Sequence, residues 1–457
     1  MTRDTSVLPF SDLWELAERR ARALEQSVLL SLSEASHPVD PIALFARRNS
    51  PARFLLYSQR TGDALVGLHA QRLPVATAAV TDLPVPERLA RAWRRWSADA
   101  LWDGPLPPLA FAGWAFDPLG DTADERWQAF GAAQLLLPRL LYRQQGTLAF
   151  RAVQAVVRPG ETPPRLPGWG PLPPATAPSA PLSTLARREL VTADDWQRMV
   201  TAALAAIERG ELAKVVLARS VELSTGRRFD VEHALRVLAE RYPACTLFAL
   251  ALGDAVFFGA TPERLARVAG GTVTTVALAG SLPRLSNAAD DGSSAAALWA
   301  SAKDRQEHAF VVEAIRTALA PFCTHLAIPD EPIVVSMANV HHLATPITGV
   351  LADGFGVLDV AARLHPTPAV GGTPREAALA FIRAHERIPR GWYAGALGYV
   401  EGNEDGELVV ALRSGIVRET EARLYAGCGI VIGSDPRTEW AEAEAKLRPM
   451  LEALTGV

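Results

Sequence analysis

A few side chains of this sequence stand where chemistry could be done. Lys214 opens an apolar run, AKVVLARSVEL (213–223), with Val216 and Ala218 on its own face of a strand. An amine there either marks a strand edge, where charge discourages aggregation, or sits partly buried and works as a base near neutrality; periodicity supports both. Glu263 follows a Thr-Pro turn in FFGATPERL, and Pro262 restricts its approach. It is either a helix-start acid facing a dipole or an aimed catalytic carboxyl. Glu307, within SAKDRQEHAFVVEAIRTAL, shares a helical stripe with Phe310, Val311, Ala314 and Ile315. A carboxylate on an apolar face needs a partner, which a salt bridge or a hard cation would supply. Glu439, Glu442 and Lys446 fall at i, i+3 and i+7 on the last helix, a row usual for exposed charge pairs. The two glutamates with Glu307, three acids from two helices, could instead hold one Mg²⁺, which takes a few carboxylates plus water and an anionic ligand. Together these residues point to metal-assisted chemistry on a small anion.

The elements that must position them are legible in outline. Lys214 and Glu263 lie at the ends of strand-like runs, and further such runs are TLFALAL, AVFFGA, TVTTVAL, ELVVALRSGIV and RLYAGCGIVIG. Helices are expected over 300–320, 373–388 and 436–454, the last opened by Ser434-Asp435-Pro436 with a cap and a first-turn proline. Another helix starts at Thr192 with a capping-box-like Asp195 and stops at Gly210. In the first half, 53–59 and 64–69 flank Thr61-Gly62-Asp63 as a hairpin, 86–98 has helical spacing, and 135–157 reads as strands. Strands that follow one another without a helix between them favour antiparallel sheet, hence an α+β fold rather than a doubly wound one. GCGIVIG (427–433) has GxGxxxG rather than GxGxxG spacing and too little chain after it for a dinucleotide fold. Glycines in such a strand instead mark close approach by a ligand or another backbone.

The 457 residues are 49% hydrophobic and 21% charged, a globular composition. A net charge of −4 leaves no basic excess for nucleic acid. Three scattered cysteines, Cys245, Cys323 and Cys428, argue against a disulfide framework or a thiolate zinc site. The start, MTRDTSVLPFSDLWELAERR, reads as amphipathic rather than as a signal peptide. No apolar stretch reaches the roughly 20 residues of a membrane span. A cytoplasmic protein without membrane or nucleic-acid partners is expected. The proline-rich segment 158–184 favours extended linker structure.

Taken together, the strings KVVLARS, FFGATPERL, LAGSLPR, KDRQEHAFVVEAI, VHHLAT, HPTPAVGG, RGWYAGALGYV, ALRSGIV, AGCGIVIGSDP and EWAEAEAKL resemble the chorismate-binding family. That family comprises isochorismate synthases, salicylate synthases, anthranilate synthase large chains and aminodeoxychorismate synthases. The strings occur in the family's order over 212–447, with a weaker match at PLAFAGWAFDP (108–118); the first hundred residues show none. The resemblance implies a large antiparallel two-layer β core wrapped by helices, and one unit over 1–457. Within it lie a divergent N-terminal half (1–157), a proline-rich bridge (158–184) and a catalytic half (185–457). It also implies Mg²⁺ as cofactor and chorismate as small-molecule substrate. Glu307 and Glu442 match the family's metal carboxylates, with Glu439 close to them. Arg413 matches the arginine that grips the enolpyruvyl carboxylate, helped by Tyr393 and by backbone near Gly427 and Gly429. His342 matches a histidine near the C4 hydroxyl, Gly280 lines the ring site, and Lys446 matches a lysine near the metal cluster.

Within the family, Lys214 matches the base that activates water at C2, which points to hydroxylation rather than amination. Ala279 stands where aminodeoxychorismate synthases carry a nucleophilic lysine. Ala369 and Val370 in HPTPAVGG resemble isochorismate synthases, where salicylate and anthranilate synthases more often place a threonine. The expected activity is therefore isochorismate synthase, an isomerase: Lys214 as base, Glu263 as the protonated acid toward the C4 hydroxyl. Salicylate synthase is the alternative, with an aminating chain behind it. The product feeds menaquinone or siderophore biosynthesis, and a monomer is the expected state.

Overall fold

The computed structural model describes residues 8–47, 49–75, 83–119, 124–170, 185–285, 287–336 and 340–456. Turn chemistry produces the first hairpin where it is expected, as strands Ala52–Ser58 and Asp63–Leu68 pair antiparallel around Gly62. The apolar stripe of 86–98 gives helix Val85–Ser97, and 133–157 folds as three consecutive strands. Thr192 caps helix Ala193–Glu208 by accepting from the Asp195 N–H, and Asp435 caps helix Pro436–Thr455 through the Thr438 N–H. Helix Ala302–Leu319 starts at a Ser301 cap. Just before it lies a helix the sequence did not announce, Ala288–Ala300.

Among the described residues the strands form two sheets, of 13 and 10 strands, antiparallel apart from one pair, Val28–Ser36 with Leu101–Asp103. This is the α+β architecture expected from strands that follow one another. The larger sheet runs from Leu185–Glu189 through Lys214–Thr225, Glu421–Ile430, Ser414–Arg418, Ala255–Thr261 and Thr246–Leu252. It then passes into the first half of the chain at Ala52–Ser58 and ends at Leu101–Asp103. The smaller sheet crosses between halves as well, where Ala396–Glu401 pairs with Leu109–Trp114. Helix Phe10–Leu24 lays Leu13, Trp14, Ala17 and Ala21 on Val28, Leu30, Ala155 and Val157 at the far end of the larger sheet.

Buried tryptophans fix the layers, since each indole N–H needs an acceptor. Trp93 donates to the Glu401 carbonyl (2.8 Å), Trp392 to Gly131 (2.8 Å) and Trp196 to Pro436 (3.2 Å). These bonds tie together segments hundreds of residues apart in sequence. Residues 158–170 of the proline-rich segment contain neither helix nor strand, and 171–184 lie outside the described residues. Among the described residues no helix is long and apolar enough to cross a membrane.

Candidate active site

The glycines of strand Glu421–Ile430 let its neighbours close in. A Cβ on Gly427 would stand 2.7 Å from the Leu217 carbonyl oxygen, and one on Gly429 would stand 2.8 Å from Cε of Lys214. Lys214 is the first residue of the adjoining strand, buried, and flanked by Gly372–Thr373 on the other side. The strand-edge reading of this lysine therefore fails. Its Nζ donates to Oε1 of Glu307 at 2.6 Å, so helix Ala302–Leu319 turns its apolar-face carboxylate onto the lysine.

Glu263 sits between strands Ala255–Thr261 and Arg264–Ala269, and no helix begins there, which removes the helix-start reading. Its backbone is pinned on both sides. Its N–H donates to the Thr261 hydroxyl (3.2 Å), which in turn donates to the Val410 carbonyl (2.6 Å). The Val410 N–H donates to the Glu263 carbonyl (3.0 Å). Burial pushes the carboxyl up to about 7, against smaller downward pulls from the Thr367 hydroxyl at 3.3 Å and from Lys214.

His342, in strand Val340–Leu351, places Nδ1 3.2 Å from the Gly280 carbonyl. A carbonyl only accepts, so Nδ1 carries the ring proton and Nε2 remains an acceptor. Burial lowers the imidazole to about 4 and keeps it neutral. Gly280 occupies a bulge between Ala279 and Ser281, with a left-handed φ of +73 and little space beside it: a Cβ there would meet Cβ of Asp304 at 3.0 Å. Arg413 has left-handed backbone, φ 48, between two strands. Burial lowers its guanidinium, and among the described residues it forms no ion pair. Tyr393 stacks on Tyr425 with centroids 5.2 Å apart, and burial raises its phenol.

On helix Pro436–Thr455, Lys446 bridges the Gly427 carbonyl (3.1 Å) and Glu442 (2.5 Å). Burial alone would raise Glu442, but Lys446, Arg413 and Lys214 outweigh it and hold it below its ordinary value. Glu439 is raised by burial.

All of these groups, with Ala369, line one cavity of about 240 Å³. The structure thus brings every candidate residue of the sequence to one place. It adds Asp304, Ser434 and Arg390 to the walls, and Thr367 behind Glu263. Among the described residues no three His, Cys, Asp or Glu side chains form a ready-made metal cluster. The donors still fit Mg²⁺ in kind. That ion needs only one or two carboxylates completed by water and an anionic ligand, and Glu307 and Glu442 line the cavity with one lysine contact each.

A half-buried carboxyl raised toward neutrality, a buried lysine and an arginine with no ion pair among the described residues, all in one polar cavity, define an acid–base enzyme for a small anion. Residues 15–455 match the family described as chorismate binding enzyme. The chain is 37% identical over 469 aligned residues to the salicylate biosynthesis isochorismate synthase of Pseudomonas aeruginosa, covering 97% of this chain and 94% of that protein. It is 31% identical to isochorismate synthase MenF of Bacillus subtilis, with 96% of each covered. MenF, the menaquinone-specific isochorismate synthase of Escherichia coli, shares the fold with a TM-score of 0.76 and 26% identity, over 97% of this chain and 99% of that one. The chain belongs to the chorismate-binding enzyme family.

Proposed function

We propose that the chain is an isochorismate synthase, an isomerase that adds water at C2 of chorismate and expels the C4 hydroxyl as water. The observation that carries this reading is the joint presence, in one cavity, of half-buried Glu263 with its carboxyl near 7 and buried Lys214. The names of the relatives support the same reaction.

In the proposed reaction Nζ of Lys214, uncharged at that moment, takes a proton from water as the oxygen bonds to C2. The ring double bonds shift toward C4, and the C–O bond at C4 breaks as Glu263 gives its proton to the departing hydroxyl. One water enters and one leaves, so the product is an isomer, and proton exchange with solvent resets both groups. A carboxyl near 7 is well matched to the second task, because general acids work best with pKa close to the operating pH. Neutral His342 supplies an acceptor near the C4 hydroxyl. Arg413, which forms no ion pair among the described residues, offers a planar fork to a substrate carboxylate. Glu307, Glu439 and Glu442 would hold Mg²⁺, which when bound would anchor the ring carboxylate and draw off charge as the C4 hydroxyl departs.

Incubating the protein with chorismate and Mg²⁺ and separating the products tests the reading. Isochorismate alone is the expected result. Salicylate with pyruvate would move the assignment to a salicylate synthase, and anthranilate in the presence of ammonium to an aminating chain.

A further inference from the structure

The strand that carries Lys214 has a gap on one side. Glu421–Ile430 pairs with it from Val215 to Ser224. On the other side Gly372–Thr373 covers only Lys214 and Val215, and Leu185–Glu189 covers only Val221 to Thr225. Between them the Val216 N–H finds the Gly371 carbonyl (2.9 Å), but among the described residues the Val216 carbonyl and the Ala218 N–H face no strand. Two side chains stand in for one. Nη2 of Arg390 donates to the Val216 carbonyl (2.7 Å), and Oε1 of Glu386 accepts from the Ala218 N–H (2.8 Å).

The pair is closed on itself and on the cavity wall. Arg390 binds Glu386 through Nε (2.8 Å) and Nη2 (2.5 Å), while its Nη1 donates to the Val370 carbonyl (2.9 Å). The guanidinium lies 4.1 Å from the centre of the Phe116 ring, and the two side chains are 4% and 5% exposed. The Arg390 carbonyl accepts from the Tyr393 N–H at 3.0 Å. A buried ion pair adds little net stability over apolar packing of the same shape, so stability alone accounts poorly for one so fully bonded.

We propose that Arg390, braced by Glu386, is a positioning residue that holds the Lys214 strand in register with the Ala369–Val370 wall, an inference that rests on the isochorismate synthase reading. Its bonds touch the segments that carry the base and the ring wall. None reaches Arg413 or Lys446, the cations placed to hold substrate carboxylates. Losing them should therefore slow turnover more than it weakens binding. A lysine cannot replace it, because an ammonium is a point charge and cannot span Val216, Val370 and both carboxylate oxygens as a planar fork does.

The test uses the full chain with chorismate and Mg²⁺, assayed well below the Tm of each protein, with the parent chain alongside. Arg390→Lys should lower kcat by about tenfold or more while KM moves less than about threefold, since displacement of a catalytic group by an ångström costs up to about 10²-fold. Glu386→Gln keeps an acceptor for the Ala218 N–H and should show a smaller loss of the same kind. If Arg390→Lys does not fold, Glu386→Gln decides by the same kcat-against-KM criterion. A lower Tm with kcat unchanged, a rise in KM alone, or loss of folding in both variants overturns the proposal. A parent chain that makes no isochorismate overturns the functional reading, and this inference with it. An active parent matched by its Arg390→Lys variant overturns this inference alone.

Discussion

Glu263 is asked to keep a proton that water would take from it, and the fold does this by burial at a cost to stability. The folded protein holds that proton up to about 7, whereas an unfolded chain releases it near 4.5. Between those values the folded state binds more protons, so stability is full below about 4.5 and declines as pH rises through about 7. A displacement of that size corresponds to about 3 kcal/mol. Glu263→Gln should abolish turnover, having no proton to give, yet flatten the decline of Tm between pH 5 and 8 and melt higher than the parent at pH 8. Thermal melts across that range check the sign. Turnover of the parent should fall as pH rises through the same value, because the acid is then spent. Lys214→Ala should lower kcat by about 10²- to 10⁴-fold, the usual worth of a general base, while calorimetry shows chorismate still bound; near-normal turnover would remove the lysine from the chemistry. Both residues are legible in the motif strings alone. Thr367 and Arg390 lie inside two of the same strings, HPTPAVGG and RGWYAGALGYV, yet passed unnoticed. Their partners, Glu263 for one and Val216, Val370 and Glu386 for the other, are set by tertiary approach, and only the Glu386–Arg390 spacing of four was visible in the chain.

At the scale of the element, the glycine strand and the lysine strand explain each other. A glycine in a strand is a loss of packing and entropy, and here the space it frees is filled by the base. Gly429→Ala would put a Cβ 2.8 Å from Cε and 3.3 Å from Nζ of Lys214. The flexible end of the lysine can yield, so Tm should change little, but yielding moves Nζ. The expected result is a fall in kcat of about tenfold or more, read from steady-state rates beside a melting curve; unchanged turnover would mean that the lysine has room to spare. The sequence showed where this strand begins and that its neighbour was glycine-rich, because alternation and composition are local. It did not show helix Ala288–Ala300, whose AADDGSSAAALWA mixes glycine, serine and acids with alanine and carries little periodicity. Nor could it distinguish a turn between two strands from a helix start at Glu263, since a Thr-Pro-Glu sequence suits both.

At the scale of the whole molecule, the order of strands in the sheets lies beyond sequence pattern, because pairing partners are chosen across the fold. The proline-rich segment suggested a border, yet both sheets pass from one half of the chain to the other. We infer that the halves form one folding unit. A fragment of 185–457 would expose strand Thr246–Leu252, six of whose seven residues are buried in the full chain, along its edge toward Ala52–Ser58. An apolar edge of that kind invites aggregation, so the fragment should be insoluble or unfolded by sedimentation and circular dichroism, while a soluble, cooperatively melting fragment would show two independent units. The net charge of −4 is a sum over the whole chain and says little of function; the charges that matter are the four glutamates, one aspartate, two lysines and two arginines around one cavity. Removing divalent cations with EDTA should abolish turnover, and added Mg²⁺ should restore it; indifference to EDTA would leave Glu307, Glu439 and Glu442 without the ion assigned to them. The central claim, water activated at C2 by Lys214 with loss of the C4 hydroxyl, is tested most directly by turnover in ¹⁸O-labelled water. The account predicts isochorismate carrying one ¹⁸O, located on the C2 hydroxyl by mass spectrometry and NMR, with the label appearing about 10²- to 10⁴-fold more slowly in Lys214→Ala. Unlabelled isochorismate, or label at any other carbon, would contradict it.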